Sequence, residues 1–187
     1  IHDNVDAAKE LAQDALDIEP NEKEIFSMAQ SFYDDWDFQG AITLYDKILK
    51  NNPNHTDTLM SKASALRYIE RYPEAISCYN KIIKKQPKNI EALQSKAFVY
   101  VYNIRDRKKA IPIVNKILKI SPSDGADCAI KFAACGEYQR AIKLAMKTLD
   151  VNQDLIPPRM RKLEWLISLT LEQKTEKDAL VIINKYL

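Results

Sequence analysis

AITLYDKILKNNP at residues 41–53, AISCYNKIIKKQP at residues 75–87 and AIPIVNKILKISP at residues 110–122 are three versions of one segment. The step from Ala41 to Ala75 is 34 residues and that from Ala75 to Ala110 is 35; Pro53, Pro87 and Pro122 keep the same steps. A period of this length marks one supersecondary unit copied in tandem, which sets the architecture ahead of any local propensity.

The residues just upstream complete the unit. Asn21 followed by Glu24 predicts a capping box, in which each side chain satisfies an orphan backbone N–H at a helix start. Ile25, Met28, Ala29 and Phe32 then recur at helical spacing. A break at residues 34–37 precedes a second helix carrying Ala41, Leu44, Tyr45 and Ile48, which ends at Asn51-Asn52-Pro53. Two helices with a short connection form an antiparallel hairpin. The next copy has Leu59, Ala63 and Leu66, then Ala75, Tyr79 and Ile82; a third has Leu93, Ala97 and Tyr100, then Ala110, Val114 and Ile117. A fourth is compressed, with Ala129 and Phe132 and then Ala141, only 31 residues after Ala110. The recurring alanines are expected at close helix contacts, where only a small side chain lets two backbones approach, and the rings fill the space left over.

This combination resembles the tetratricopeptide repeat: a small residue midway along the first helix, another early in the second, an aromatic four residues later and a closing proline. Three copies match over residues 21–122 and the fourth matches more loosely to about residue 152. The family's frequent aromatic near the start of the first helix is here Ile25, Leu59 and Leu93, and its frequent glycine is alanine. The resemblance implies an all-α, right-handed superhelical solenoid of antiparallel helix hairpins, forming one helical-repeat domain over residues 1–187. Within it we expect a half repeat over 1–20, repeats over 21–53, 54–87, 88–122 and 123–152, and a C-terminal hairpin over 153–187. The stretch NVDAAKELAQDALDI at residues 4–18 reads as a second helix without its first, and LVII at residues 180–183 leaves the last helix apolar where an array calls for a polar cap. A fragment of a longer protein is therefore expected. Pro112 should either delay its helix to about Lys109 or kink it.

Composition narrows the function classes. Hydrophobic residues make up 46% and charged residues 29%, as in a folded globular chain, and three glycines disfavour a turn-rich β fold. A formal net charge of +2 provides no overall field for nucleic acid or an anionic membrane. No apolar run approaches the length of a membrane span. Cys78, Cys128 and Cys135 are odd in number and widely spaced, which favours free thiols, a reducing compartment and a cytoplasmic location. The chain opens on Ile1 with no charged-then-apolar leader, so no secretory signal is read from it.

Catalytic and metal motifs are not found. His2 and His55 stand alone, and neither a Gly-rich phosphate loop nor a nucleophile motif is present, so a non-enzyme without cofactors is expected. Cys128 and Cys135 lie two helical turns apart, roughly 10 Å along the axis, too far to share a metal ion. Lys81, Lys84, Lys85 and Lys88 form one basic cluster and Arg105, Arg107, Lys108 and Lys109 another. A repeat length that varies from 31 to 35 speaks against base-by-base RNA reading, and a solvated outer face is the expectation.

The resemblance assigns first helices to a concave face. The candidate partner-binding groove is then lined by Phe26, Gln30 and Tyr33, by Met60, Ser64, Arg67 and Tyr68, and by Gln94, Phe98 and Tyr102. Aromatic, Met and hydrogen-bonding side chains of this kind make interface hot spots. Relatives that hold acidic chaperone C-termini use a clamp of Lys, Asn and Arg. The matching positions here are Phe26, Gln30, Ser61, Glu91 and Ser95, or one repeat later Met60, Ser64, Ser95, Ser123 and Asp127, and none is cationic. The expected function is a non-enzymatic protein–protein interaction scaffold that binds a peptide or helical segment, without an acidic chaperone tail as partner. The alternatives are self-association through the terminal helices and service as a regulatory domain of a larger enzyme or transcription factor.

Overall fold

The computed structural model describes residues 21–137, 139–141, 143 and 144. The expected half repeat over residues 1–20, the end of the fourth repeat and the hairpin over residues 153–187 lie outside these residues. The described elements are α1 (Glu22–Asp34), α2 (Phe38–Asn51), α3 (Thr56–Tyr68), α4 (Tyr72–Lys85), α5 (Ile90–Phe98), α6 (Arg107–Ile120) and α7 (Gly125–Ala134). A π-helical turn, Val99–Asn103, extends α5, and a 3-10 turn, Pro122–Asp124, precedes α7. No strand occurs among the described residues. The chain divides into two compact units between Ala92 and Leu93.

Local chemistry explains where the helices begin. Asn21 Oδ1 accepts from the backbone N–H groups of Lys23 and Glu24 at 3.1 Å each, and Glu24 Oε2 accepts from Asn21 N–H at 3.2 Å, so the capping box is formed. Asp37 caps α2 through the Gly40 N–H at 2.9 Å, and Asp106 caps α6 through the Lys109 N–H at 3.1 Å. At α3 the cap is His55, whose Nδ1 accepts from the Thr58 N–H at 3.2 Å. That role leaves the ring proton on Nε2, which lies 3.5 Å from Glu22 Oε1. Helix α6 starts at Arg107 rather than at Lys109 and runs through Pro112, which is exposed. The carbonyl that loses its N–H partner there belongs to Lys108, also exposed and open to water.

Each first helix ends in a left-handed residue: Trp36 (φ 65°), Glu70 (φ 62°), Arg105 (φ 60°) and Gly136 (φ 79°). Their spacings of 34, 35 and 31 residues are those of Ala41, Ala75, Ala110 and Ala141. Around Trp36 the N–H of Asp37 reaches back to the Phe32 carbonyl at 2.9 Å, and that of Trp36 to the Tyr33 carbonyl at 3.1 Å. The same pair of bonds recurs around Glu70 and Gly136, so these helices close with the Schellman arrangement, which requires a positive φ.

The irregular spacings have local causes. From the small mid-helix residue to the left-handed residue the count is 7 for Ala29–Trp36, Ala63–Glu70 and Ala129–Gly136, but 8 for Ala97–Arg105. The extra residue is absorbed by Val99–Asn103, where the N–H of Ile104 bonds the Val99 carbonyl five residues back at 2.9 Å. In the fourth repeat, Pro122 precedes Ala129 by only 7 residues, against 10 from Pro53 to Ala63. Helix α7 is correspondingly 10 residues long, where α1 and α3 have 13.

Within the first unit α1 packs on α2, α2 on α3 and α3 on α4. Ala29, Ala41, Ala63 and Ala75 are fully buried. Ile25, Leu44, Tyr45 and Ile48 gather with Ala29 and Ala41 into one core, flanked by half-buried Met28 and Phe32. In the second unit α6 packs on α7, and Ala97, Ala110, Ala129 and Ala141 are likewise fully buried. Val101, Ala110 and Cys135 form a core cluster with Tyr100 and Ile111 against it. Cys78, Cys128 and Cys135 are free and buried. The Cys128 thiol points to the Val114 carbonyl at 3.8 Å, and burial, followed by the carboxylate of Asp127, pushes its pKa up to about 11.

Candidate partner-binding surface

In the first unit four rings meet where α1, its following turn, α2 and α3 converge. Tyr33 stands on the last turn of α1, Trp36 is the left-handed residue, Phe38 opens α2 and Tyr68 closes α3. Phe38 and Tyr68 are stacked, 4.8 Å between centroids and 2° between planes. Tyr33 meets both edge-on at 5.2 and 5.9 Å, and Trp36 meets Phe38 and Tyr68 at 5.9 and 6.2 Å. The guanidinium of Arg67 lies 4.7 Å over the Tyr68 ring. Burial, then the neighbouring phenol of Tyr68, raises the Tyr33 pKa to about 12, so the Tyr33 hydroxyl stays protonated at neutral pH. The cluster is nevertheless open on one side, with Trp36 74% exposed and Tyr68 48% exposed.

The other expected residues of this unit are placed differently. Phe26 packs on the core, 5.9 Å from the Tyr45 ring and 6.4 Å from His55. Gln30 is half-buried and spans Asp34 Oδ1 at 3.4 Å and the Tyr45 hydroxyl at 3.5 Å. Met60 and Ser64 are half-buried on α3. The structure therefore brings Tyr33, Arg67 and Tyr68 together and leaves Phe26 as a packing residue.

In the second unit Phe98 and Tyr102 lie 4.8 Å apart, tilted by 48°, each 40% exposed. A π-helical turn has more residues per turn than an α-helix, so this four-residue pair falls almost one above the other. Burial, then Asp127, raises the Tyr102 pKa. Gln94 is half-buried one turn earlier on α5, and Ile104 and Ile130 are further exposed apolar groups of this unit.

Sequence reasoning missed Trp36 and Phe38. Both sit at a break between helices, where helical periodicity assigns no face. The signal that could have found them was the step itself, since Trp36 occupies the position that holds Glu70, Arg105 and Gly136 elsewhere. The basic residues Lys81, Lys84, Lys85 and Lys88 are exposed around the end of α4, and Arg105, Arg107, Lys108 and Lys109 around the start of α6. Among the described residues no group of His, Cys, Asp and Glu is arranged to hold a metal ion, and no helix is long and apolar enough to cross a membrane.

The family model for anaphase-promoting complex, cyclosome, subunit 3 matches residues 2–82. No curated protein matches the sequence. A tetratricopeptide repeat protein from Parabacteroides merdae is 18% identical, with a TM-score of 0.71 over 97% of this chain and 71% of that one. A MamA protein gives a TM-score of 0.70 at 19% identity over 88% of each chain, and residues 41 to the end of MamA from Desulfovibrio magneticus give 0.69 at 17% identity over 88% and 92%. At these identities the structural likeness speaks for the fold. With the recurring alanines, Schellman turns and repeat steps described above, the matches show a tetratricopeptide-like, all-α helical-repeat fold.

Proposed function

We propose that the chain is a non-enzymatic scaffold whose first helices hold a peptide or helical segment of a partner protein. A repeat fold of this type goes with protein–protein interaction, and families built on it are generally non-catalytic. The observation that carries the finer reading is the set of half-exposed rings on first helices: Tyr68 in the first unit, Phe98 and Tyr102 in the second. Core packing does not require them, and aromatic anchors of this kind dominate binding energy. A scaffold built from pre-stacked helices loses little freedom on binding, so most of the ordering falls on the partner. The repeats proposed to work in this way are those over 21–53, 54–87, 88–122 and 123–152, in the cytoplasm, where buried free thiols are at home.

The test is capture from a cell extract with the partner identified by mass spectrometry. Phe98→Ala combined with Tyr68→Ala should weaken capture by roughly thirtyfold, as truncation of a central anchor does. Lys84→Ala with Lys85→Ala, on exposed positions of α4, should leave it intact. Loss of capture in the lysine pair alone would overturn the reading in favour of an electrostatic partner on the second helices.

A further inference from the structure

Trp36 is not needed where it stands. The same turn position is filled by Glu70, Arg105 and Gly136 in the other repeats, so the fold accepts a charged residue or glycine there. An L residue in the left-handed region is disfavoured, and a tryptophan that remains 74% exposed recovers little of this by burial. Its indole is held edge-on against Phe38 and Tyr68, which leaves a large aromatic surface turned to solvent.

The charges around this surface are mostly of one sign. Asp34 and Asp35 precede Trp36 and are exposed, Asp37 follows it, and exposed Glu70 comes two residues after Tyr68. Asp37 uses Oδ1 to cap α2, and its Oδ2 is buried with no hydrogen-bond partner. Two cations stand next to these residues: Arg67 already lies over the Tyr68 ring, and Arg71 is paired with Glu74 and donates to Gln39, which follows Phe38. The cluster thus binds one guanidinium of its own chain on a ring face.

We propose that Trp36, Phe38, Tyr68 and the carboxylates of Asp34 and Asp35 form a docking site for a basic peptide segment of a partner protein. A lysine or arginine side chain lays its alkyl stem and cation on the indole and directs the charge toward the aspartates. The inference rests on the scaffold reading above and names the chemistry of the segment that the first unit takes.

The probes are three capped heptapeptides that alternate alanine with lysine, arginine or glutamate, titrated into the full chain and followed by backbone amide shifts. The lysine and arginine peptides should move the amides of Trp36, Asp37 and Tyr68, with an effect that falls as salt rises, and the glutamate peptide should not. Trp36→Gly should keep or raise the melting temperature while weakening the lysine peptide by roughly two- to thirtyfold, the range a cation over an aromatic face contributes. Asp34→Asn with Asp35→Asn should weaken it too and flatten the salt dependence. Equal shifts with the glutamate peptide, or unchanged affinity in Trp36→Gly, would overturn the proposal. Shifts at Trp36 that appear on raising protein concentration without peptide would also overturn it, because the occupant would then be a second copy of this chain. If Phe98→Ala still lowers capture while the basic peptides leave Trp36 unmoved, the scaffold reading stands and the basic-segment inference falls. Capture untouched by Phe98→Ala and Tyr68→Ala together would remove the scaffold reading itself.

Discussion

Glu70 illustrates how a single residue can satisfy a backbone bond pattern at some expense. Its positive φ lets the N–H groups of Glu70 and Arg71 reach the carbonyls of Arg67 and Leu66 at 3.1 and 2.8 Å, closing α3. Glycine adopts that conformation without the clash of a Cβ, and Gly136 does so at the equivalent place. Glu70→Gly should therefore stabilise the chain by about 0.5–1 kcal/mol, the steric relief less the extra freedom glycine gains in the unfolded chain. Urea denaturation checks this: a loss of stability of that size would mean that the Glu70 side chain makes a compensating contact. The reverse change, Gly136→Ala, should destabilise. Gly40 behaves differently, because a Cβ there would lie 2.7 Å from Asp37 Oδ2 and 2.9 Å from Phe32. Its constraint is the close approach of the capping side chain, with no demand on φ.

At the level of the element, α5 and its π-helical turn give the most direct link between residue count and geometry. One residue too many between Ala97 and Arg105 would rotate everything after it off the core face if the helix stayed α. Widening one turn keeps Val99 and Val101 buried on the inner side. Deleting Tyr100 should restore the 34-residue step, place Val101 where Leu66 stands in the preceding repeat, and return the segment to α geometry. The expected outcome is a helical chain that still melts cooperatively, although deletions inside packed helices ordinarily abolish folding. The check is circular dichroism with thermal melting, and a non-cooperative melt would show that the wide turn is required by packing elsewhere. The 35-residue step was visible in the sequence. Its consequence was not, because a count cannot tell a longer loop from a wider helical turn.

Among the described residues, the thiols and phenols shielded from water share one electrostatic bias. Burial raises the pKa of Cys78, Cys128 and Cys135, and likewise of Tyr33, Tyr45 and Tyr102. Their protonated forms are favoured in the folded state, so this contribution is fully present below the unfolded values of 9.0 and 10.0. It is lost as pH rises toward the folded values of about 11 for Cys128 and about 12 for Tyr33, because the unfolded chain releases those protons first. Lys96, whose pKa burial lowers, works in the opposite sense, as one group against six. The melting temperature should accordingly fall as pH is raised from 9 toward 12, and a flat profile over that range would contradict the assigned burial.

The all-helical repeat was legible in the residues alone. Recurrence of Ala41, Ala75 and Ala110 with Pro53, Pro87 and Pro122 reports a local unit, and a repeated unit needs only its neighbours to bury its face. Helix caps such as Asn21 with Glu24 were legible for the same reason, since donor and acceptor lie within one turn. The surface was not. Phe26 and Tyr33 occupy comparable places on α1, yet one fills the core beside Tyr45 and the other joins an open cluster with Tyr68. Which ring is covered depends on what the next helix brings to it, and Trp36 and Phe38 meet Tyr68 across 32 and 30 positions of chain. Contacts of that range arise only when α2 and α3 have packed, because pairing between helices is set by side-chain shape in three dimensions and leaves no periodic trace in sequence order.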